Sequence, residues 1–414
     1  MAPIAAPRPA ANVETAKRLV AENRLDEAEA MLRELLAGAP HDPEVLFLLA
    51  MVAEAKGQYA EAIARLRAIL EDHPGAARVR LELGRAFFLS GDDANAERQF
   101  QLALAQKLPA GVEGNVQKYL AAIRARRSWS LSVSMAFAPD SNVNAATGAS
   151  QVDIYGLPFT LSPDARRHSG AGLAVDLAGE WSPRLGRTAR LRLGATADAV
   201  VYGRSDFDDI TATAYAGPSK LGDRWQASAL FVGTRRWYGG QVYYEGPGGR
   251  LEGAYVPTAR LRLDASAELQ RLSYRLNPGQ SGTAATLNAS ALYALDPASL
   301  VHVAAWASRL GARDPAYGYW SGGAAAGYLR ELPKGFSVSV EPSISRTVYD
   351  RPLAAFGAVR RDTTFQVSVG LLNRRLHWRG LAPRVAVVWA DNRSSIPLYG
   401  FSRLRGELRL TRQF

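Results

Sequence analysis

The 414-residue chain has no cysteine, which excludes disulfide scaffolds, cysteine-ligated zinc, iron–sulfur clusters and thiol catalysis. No apolar run comes near the ~18 residues that a membrane-spanning helix needs. Histidine is scarce, and His41, His73, His168, His302 and His377 have no spacing that suits a metal. There is no nucleophile elbow, P-loop or dinucleotide fingerprint. Gly246, Gly248 and Gly249 stand in a strand-like region with no helix after them, so they do not form a phosphate cradle. Paired acids such as Asp208 and Asp209 fit loop solvation better than catalysis. No enzymatic activity, cofactor or metal is expected. The start, Met1-Ala-Pro-Ile-Ala-Ala-Pro-Arg-Pro9, lacks the basic-then-apolar pattern of a signal peptide. It reads as a disordered segment over residues 1–9 of a chain whose signal has been removed.

What is present divides at about residue 127. Residues 1–127 hold 17 basic and 17 acidic side chains; the remainder holds 33 and 22, so the whole net charge of +11 lies there, and 31 of those 33 are Arg. All eight Trp and fourteen of the sixteen Tyr also follow residue 127. The first part is rich in Ala, Leu and Glu, which favour helix. The second is rich in Gly, Ser, Val, Tyr and Arg in short alternating runs. The basic excess is spread along those runs with no compact patch, which argues against a nucleic-acid partner.

Residues 10–127 carry a period of 34. Ala28, Ala62 and Ala96 are 34 apart, as are Leu32, Leu66 and Phe100, and Asn23, Gly57 and Gly91. Small residues let antiparallel helices approach, and Gly57 and Gly91 suit a turn needing positive φ. The pattern resembles the tetratricopeptide repeat, with Leu46 and Arg80 standing where the repeat has its Trp. Such solenoids expose a concave binding surface. Here it would include Phe47, Met51, Glu54, Arg78, Leu81, Arg85 and Phe88, although each of these taken singly also fits a packing role.

Residues 128–414 alternate with period two. Leu131, Val133, Met135 and Phe137 interleave with Ser130, Ser132, Ser134 and Ala136; Leu404, Leu408 and Leu410 interleave with Arg403, Arg405, Glu407 and Arg409. Fourteen such segments begin near Ser128, Ser169, Thr188, Ile210, Arg224, Val242, Arg260, Thr283, Leu300, Gly318, Phe336, Arg361, Pro383 and Tyr399. Tight connections alternate with longer ones, and only Gly239–Gln241 breaks the pattern. Polar residues of both signs on one face suit a water-filled lumen, and aromatic strand ends suit membrane interfaces. A sheet in lipid must close. The expected fold is therefore multidomain α + β: a helical tetratricopeptide-repeat solenoid over 10–127, then a 14-stranded antiparallel transmembrane β-barrel over 128–414. An even strand count puts both barrel ends on the short-turn side, and hence the repeats in the periplasm of a Gram-negative bacterium. Lumen residues are expected to include Arg190, Arg192, Asp198, Arg262, Glu268, Arg403, Arg405 and Arg409. Other arginines would face lipopolysaccharide phosphates. Phe414, in phase with Leu408 and Leu410, resembles a barrel-insertion signal, from which Arg412 departs.

Ala138-Pro-Asp-Ser-Asn-Val-Asn144, together with Asp391-Asn-Arg-Ser-Ser-Ile-Pro-Leu-Tyr-Gly400 and the closing Thr411-Arg-Gln-Phe414, resembles the surface lipoprotein assembly modifier family. That resemblance implies an outer-membrane translocon that moves client proteins, either surface lipoproteins or secreted haemophore-like proteins. Its repeats would meet a client or a periplasmic chaperone, and barrel-assembly machinery would insert a monomeric barrel among outer-membrane lipid and lipopolysaccharide. Asn142, Asn144, Asn392 and Arg393 are expected to be polar groups around the pore, or else to satisfy turn backbone. Two other readings stay open: an exopolysaccharide export pore, which should have more repeats, and a diffusion porin, whose constriction loop could only be Pro139–His168.

Overall fold

A computed structural model describes residues 12–126, 128–376 and 381–411, so the expected disordered segment 1–9 and the terminal Phe414 lie outside the described residues. The chain divides into two compact units near residue 125.

The first unit is built on seven helices: α1 (Val13–Ala21), α2 (Leu25–Gly38), α3 (Pro43–Ala55), α4 (Tyr59–Asp72), α5 (Ala77–Ser90), α6 (Asp93–Ala103) and α7 (Ala110–Arg126). The 34-residue spacing has a direct physical meaning here. Asn23, Gly57 and Gly91 all take positive φ, at 58°, 74° and 86°, and turn the chain between the paired helices. Ala28, Ala62 and Ala96 are completely buried where those helices cross, and Leu32, Leu66 and Phe100 fill the layer beside them. The approach is close at Gly84, where a Cβ would stand 2.8 Å from the Phe100 ring. Several helix starts are capped: Asn12 accepts from Thr15 N at 2.6 Å, and Asp42 accepts from Glu44 N at 2.9 Å with Pro43 in the first turn. Arg80, in place of the repeat's Trp, is buried and donates to the Pro74 carbonyl at 2.7 Å and to Gln99 Oε1 at 2.8 Å.

The second unit is a closed antiparallel barrel of fourteen strands: β1 (Trp129–Asp140), β4 (Gly170–Trp181), β5 (Ala189–Tyr202), β6 (Asp209–Leu221), β7 (Trp225–Tyr238), β8 (Gln241–Thr258), β9 (Leu261–Tyr274), β10 (Gly282–Asp296), β11 (Ser299–Ala312), β12 (Tyr319–Glu331), β13 (Phe336–Leu353), β14 (Ala358–Asn373), β15 (Ala382–Ser394) and β16 (Phe401–Thr411). A separate hairpin, β2 (Gln151–Ile154) and β3 (Leu157–Thr160), sits in the long connection after β1. Each barrel strand pairs with its sequence neighbour, and β1 closes on β16 with Ala136 opposite Arg409 and Asp140 opposite Arg405. The sheet is thereby closed, as a sheet with an apolar exterior in lipid must be.

The alternation sorts cleanly onto two faces. Leu131, Val133, Met135 and Phe137 point outward and are more than half exposed, while Ala136 and Ala138, on either side of Phe137, are buried on the inner face. Trp129, Trp181, Trp225, Trp320 and Trp389 also face outward. One barrel end has the short turns and the other the longer connections, the Gly239–Gln241 turn being the short exception.

Candidate functional site

The first feature of interest is a luminal belt of charges. On the inward phase of β4 to β9 stand Glu180, Arg192, Tyr215, Ser228, Arg250, Glu252 and Glu268. Arg192 donates to Glu180 at 2.7 Å, to Glu252 at 2.6 Å and to Ser228 Oγ at 3.0 Å. Arg250 continues the chain to Glu252 at 3.3 Å and to Glu268. The Tyr215 hydroxyl donates to Glu180 at 2.9 Å, and the Arg192 guanidinium lies over its ring. Gly194 makes this possible, because a Cβ there would meet Tyr215 at 2.4 Å. Two arginines thus answer three carboxylates across six strands. On the opposite side of the closure, β16 presents Arg403, Arg405, Glu407 and Arg409 inward. Arg405 pairs with Glu407 at 2.7 Å and Arg409 with Asp176 at 3.2 Å. Small Ala136 and Ala138 on β1 leave room for these long side chains.

The predicted lumen residues fall into three groups. Arg192 and Glu268 belong to the belt, and Arg403, Arg405 and Arg409 to the β16 ladder. Arg190, Asp198 and Arg262 share the inward phase without joining the belt: Arg190 is buried, Asp198 lies opposite Asp176, and Arg262 pairs with Asp264 at 2.8 Å. Arg393 is a correction. Along β15 the even residues Ala386, Ala390 and Asn392 are buried inward and the odd ones face out; Arg393 follows Trp389 and Asp391, its side chain 77% exposed and set over the outward Phe365 ring. One residue of displacement along a strand reverses the face.

Asn142, Asn144 and Asn392 act on backbone. Asn142, completely buried, donates to the carbonyls of Ala146 at 2.9 Å and Ser402 at 3.1 Å, and its own Oδ1 accepts from Ala146 N. Asn144 donates to Arg166 O at 2.7 Å and accepts from His168 N at 3.1 Å. Together they close the base of the 141–169 connection and tie it to β16. Asn392 donates to Tyr399 O at 2.7 Å. The β2–β3 hairpin stands in this connection and meets the β13–β14 turn. Its Tyr155 N donates to Ala355 O of the β13–β14 turn at 2.7 Å, and Tyr155 and Leu157 are exposed.

Sequence reasoning assigned the tyrosines at strand ends to the membrane interface. The structure instead turns a set of them into the lumen at the long-loop end. Tyr202, Tyr238, Tyr244 and Tyr274 follow the inward phase of their strands. A bulge opposite Arg236/Trp237 interrupts the alternation, so consecutive Tyr243 and Tyr244 both contact Tyr274, at 5.4 and 5.3 Å between centroids. Tyr319 meets Tyr349 at 5.5 Å, and Arg360 lies between Tyr349 and Tyr399. Each arginine of this collar has its own acid: Arg236 with Asp209 at 2.6 Å, Arg360 with Asp362 at 2.7 Å, and Arg403 with Asp140 at 2.8 Å. The sequence carries this signal only in part: Tyr202 shares the phase of Arg192 and Asp198, and Tyr238 that of Arg236, but Leu230 and Leu272 stand in the same phase as Tyr238 and Tyr274.

In the helical unit, the predicted groove residues partner one another. Arg78 lies over the Phe47 ring at 5.1 Å, and Arg85 pairs with the buried Glu54 at 2.8 Å, both joining α3 to α5. Burial raises the Glu54 carboxyl above its ordinary value despite Arg85. Phe88 packs edge-on against Tyr119 of α7 at 5.0 Å, so it is partly committed to packing. Met51 and Leu81 are half-buried on the same two helices. Among the described residues, no cluster of His, Asp and Glu could hold a metal.

The family profile described as surface lipoprotein assembly modifier matches residues 129–414, and tetratricopeptide-repeat profiles match 19–72 and 52–111. Surface lipoprotein assembly modifier 1 of Neisseria meningitidis is 24% identical, with the alignment covering 95% of this chain and 81% of the relative. The surface lipoprotein assembly modifier of Pasteurella multocida is 22% identical over 93% of this chain and 79% of its own. The hemophilin secretion modulator of Acinetobacter baumannii is 23% identical over 88% and 77%. With a profile that spans the whole barrel and relatives that align through the repeats as well, the chain belongs to the surface lipoprotein assembly modifier family of outer-membrane proteins.

Proposed function

We propose that the barrel is a protein-conducting passage, carrying client proteins from the periplasm to the cell surface. The relatives' names point to two client classes, surface lipoproteins and secreted haemophore-like proteins. The observation that best supports passage of polypeptide is the charge balance of the lumen. Arg192, Arg250, Arg405 and Arg409 are answered by Glu180, Glu252, Glu268, Glu407 and Asp176, so this part of the wall offers both signs to an extended chain. A strongly anionic polymer would call for unpaired arginine. The Arg78–Phe47 and Glu54–Arg85 pairs give the repeat domain a face of aromatic and charged groups, where it would recruit a client or its chaperone and raise the local concentration at the passage. Folding of the client outside would bias movement outward without a nucleotide.

The test is reconstitution of the purified full chain in liposomes offered an unfolded client. Protection of that client from added protease, dependent on the barrel, is the expected result. Flux of ions or sugars with no client protection would overturn the reading.

A further inference from the structure

The tyrosine collar lies apart from the charge belt, at the long-loop end. We infer that it is a sliding seat for an extended, unfolded polypeptide, gripping the client by stacking and hydroxyl contacts that ignore sequence. The inference rests on the proposed passage of protein and names the place inside the barrel where the chain is held.

Three observations carry it. First, the rings come from several walls of the barrel. Tyr238, Tyr243, Tyr244 and Tyr274 of β7 to β9 pack together, with centroids 5.3 to 6.4 Å apart; Tyr319 and Tyr349 of β12 and β13 meet at 5.5 Å and gather with Tyr399 about Arg360; and the Tyr202 hydroxyl of β5 accepts from Arg403 of β16 at 3.2 Å. Second, the rings are only half-buried, so their free faces are available inside the barrel. Third, the arginines among them are neutralised one by one by Asp209, Asp362 and Asp140. A seat without net charge selects neither acidic nor basic segments, and aromatic faces accept aliphatic, aromatic and cationic side chains alike. That combination suits a chain that must keep moving while every residue type passes.

The experiment uses the full chain in planar bilayers, with a 30-residue unfolded peptide of mixed composition and zero net charge as probe. The expected result is transient current blockade whose dwell time falls about tenfold or more in Tyr244→Ala/Tyr274→Ala/Tyr319→Ala. The matching triple Phe variant, which keeps the rings, should retain most of the dwell. Heat-modifiable gel mobility confirms that both variants fold. Equal dwell times in wild type and the Ala variant overturn the inference, as does blockade by maltoheptaose or dextran sulfate as long as that by peptide. Where the pore passes no current, the cysteine-free chain offers a second readout. Tyr274→Cys should form a mixed disulfide with a copy of the peptide whose cysteine is activated as a thiopyridyl disulfide, releasing thiopyridone, and the outward-facing Leu269→Cys should not. No adduct at position 274 overturns the inference. Peptide dwell that depends on the tyrosines in a protein that protects no client would sink the translocation reading and leave the seat standing. Client protection with dwell indifferent to the tyrosines would do the reverse.

Discussion

Arg192 on β5 reaches Glu252 on β8 at 2.6 Å, past the two strands between them, while holding Glu180 on β4 at 2.7 Å. Its side chain is 15% exposed, and removing it leaves Glu180 with the Tyr215 hydroxyl and Glu252 with Arg250. Arg192→Ala should destabilise the barrel by about 1–3 kcal/mol, less than the loss of one half of a fully buried pair. The measurement is the urea midpoint of the heat-modifiable form. The triple variant Arg192→Met/Glu180→Gln/Glu252→Gln should recover much of the loss. No recovery would mean that the belt stabilises by packing and not by charge.

Asn142 gives a second expectation. Its amide satisfies Ala146 and Ser402 from a site without solvent, so Asn142→Ala leaves those groups unpaired at a cost of about 1–3 kcal/mol. The loss should be local. Limited proteolysis ought to cut the 141–169 connection faster in the variant, with the strand content unchanged. Asn144→Ala should act in the same direction through Arg166 and His168. Cleavage at the wild-type rate would show that the loop base is held by other bonds.

The strands were legible because one face of each is apolar and the other polar, and period two survives in sequence whatever the tertiary setting. The helical repeat was legible for a stricter reason: a turn at Asn23, Gly57 and Gly91 needs positive φ, and a crossing at Ala28, Ala62 and Ala96 needs a small side chain. The collar was misread because tyrosine at a strand end suits both a membrane interface and a lumen. Only the face of the strand on which it falls separates the two. Arg393 differs for another reason: it stands in the Asp391–Gly400 stretch that carries the family resemblance, and a resemblance does not fix which face of a strand a side chain takes. The belt's pairings could not be read at all, because Arg192 selects Glu252 by barrel curvature, which no local pattern encodes.

Orientation can be settled by labelling, as the chain has no cysteine of its own. Tyr155→Cys, at the exposed tip of the β2–β3 hairpin, and Arg187→Cys, in the short turn between β4 and β5, lie at opposite barrel ends. Intact cells treated with a membrane-impermeant maleimide should label position 155 and spare 187 until the outer membrane is opened. The opposite pattern would put the long loops in the periplasm and overturn the proposed direction.

The groove face of the repeats can be tested by pairwise loss. Phe47→Ala removes the ring under Arg78, and Phe88→Ala removes a ring that also packs on Tyr119. The first should weaken client or chaperone capture several-fold with little change in helix stability. The second should lower stability as well. Circular dichroism melting beside a pull-down of the unfolded client separates the two effects. Full capture by the Phe47→Ala variant would assign the Arg78–Phe47 contact to packing alone.

Glu54 makes the helical unit respond to pH with a defined sign. Burial raises its carboxyl above the ordinary glutamate value, against the pull of Arg85 and with a push from Glu82, and its Oε2 is buried without a hydrogen-bond partner among the described residues. A carboxyl whose folded value lies above its unfolded one favours the folded state when protonated. Its stabilising contribution is complete below the unfolded value and is lost as pH rises through the folded value. The melting temperature read at the helical signal of the full chain should therefore fall across that window in wild type relative to Glu54→Gln, whose neutral amide cannot titrate. Identical pH profiles for the two proteins would mean that Arg85 compensates the buried charge completely. An opposite slope would mean that the ion pair, and not burial, sets the Glu54 carboxyl.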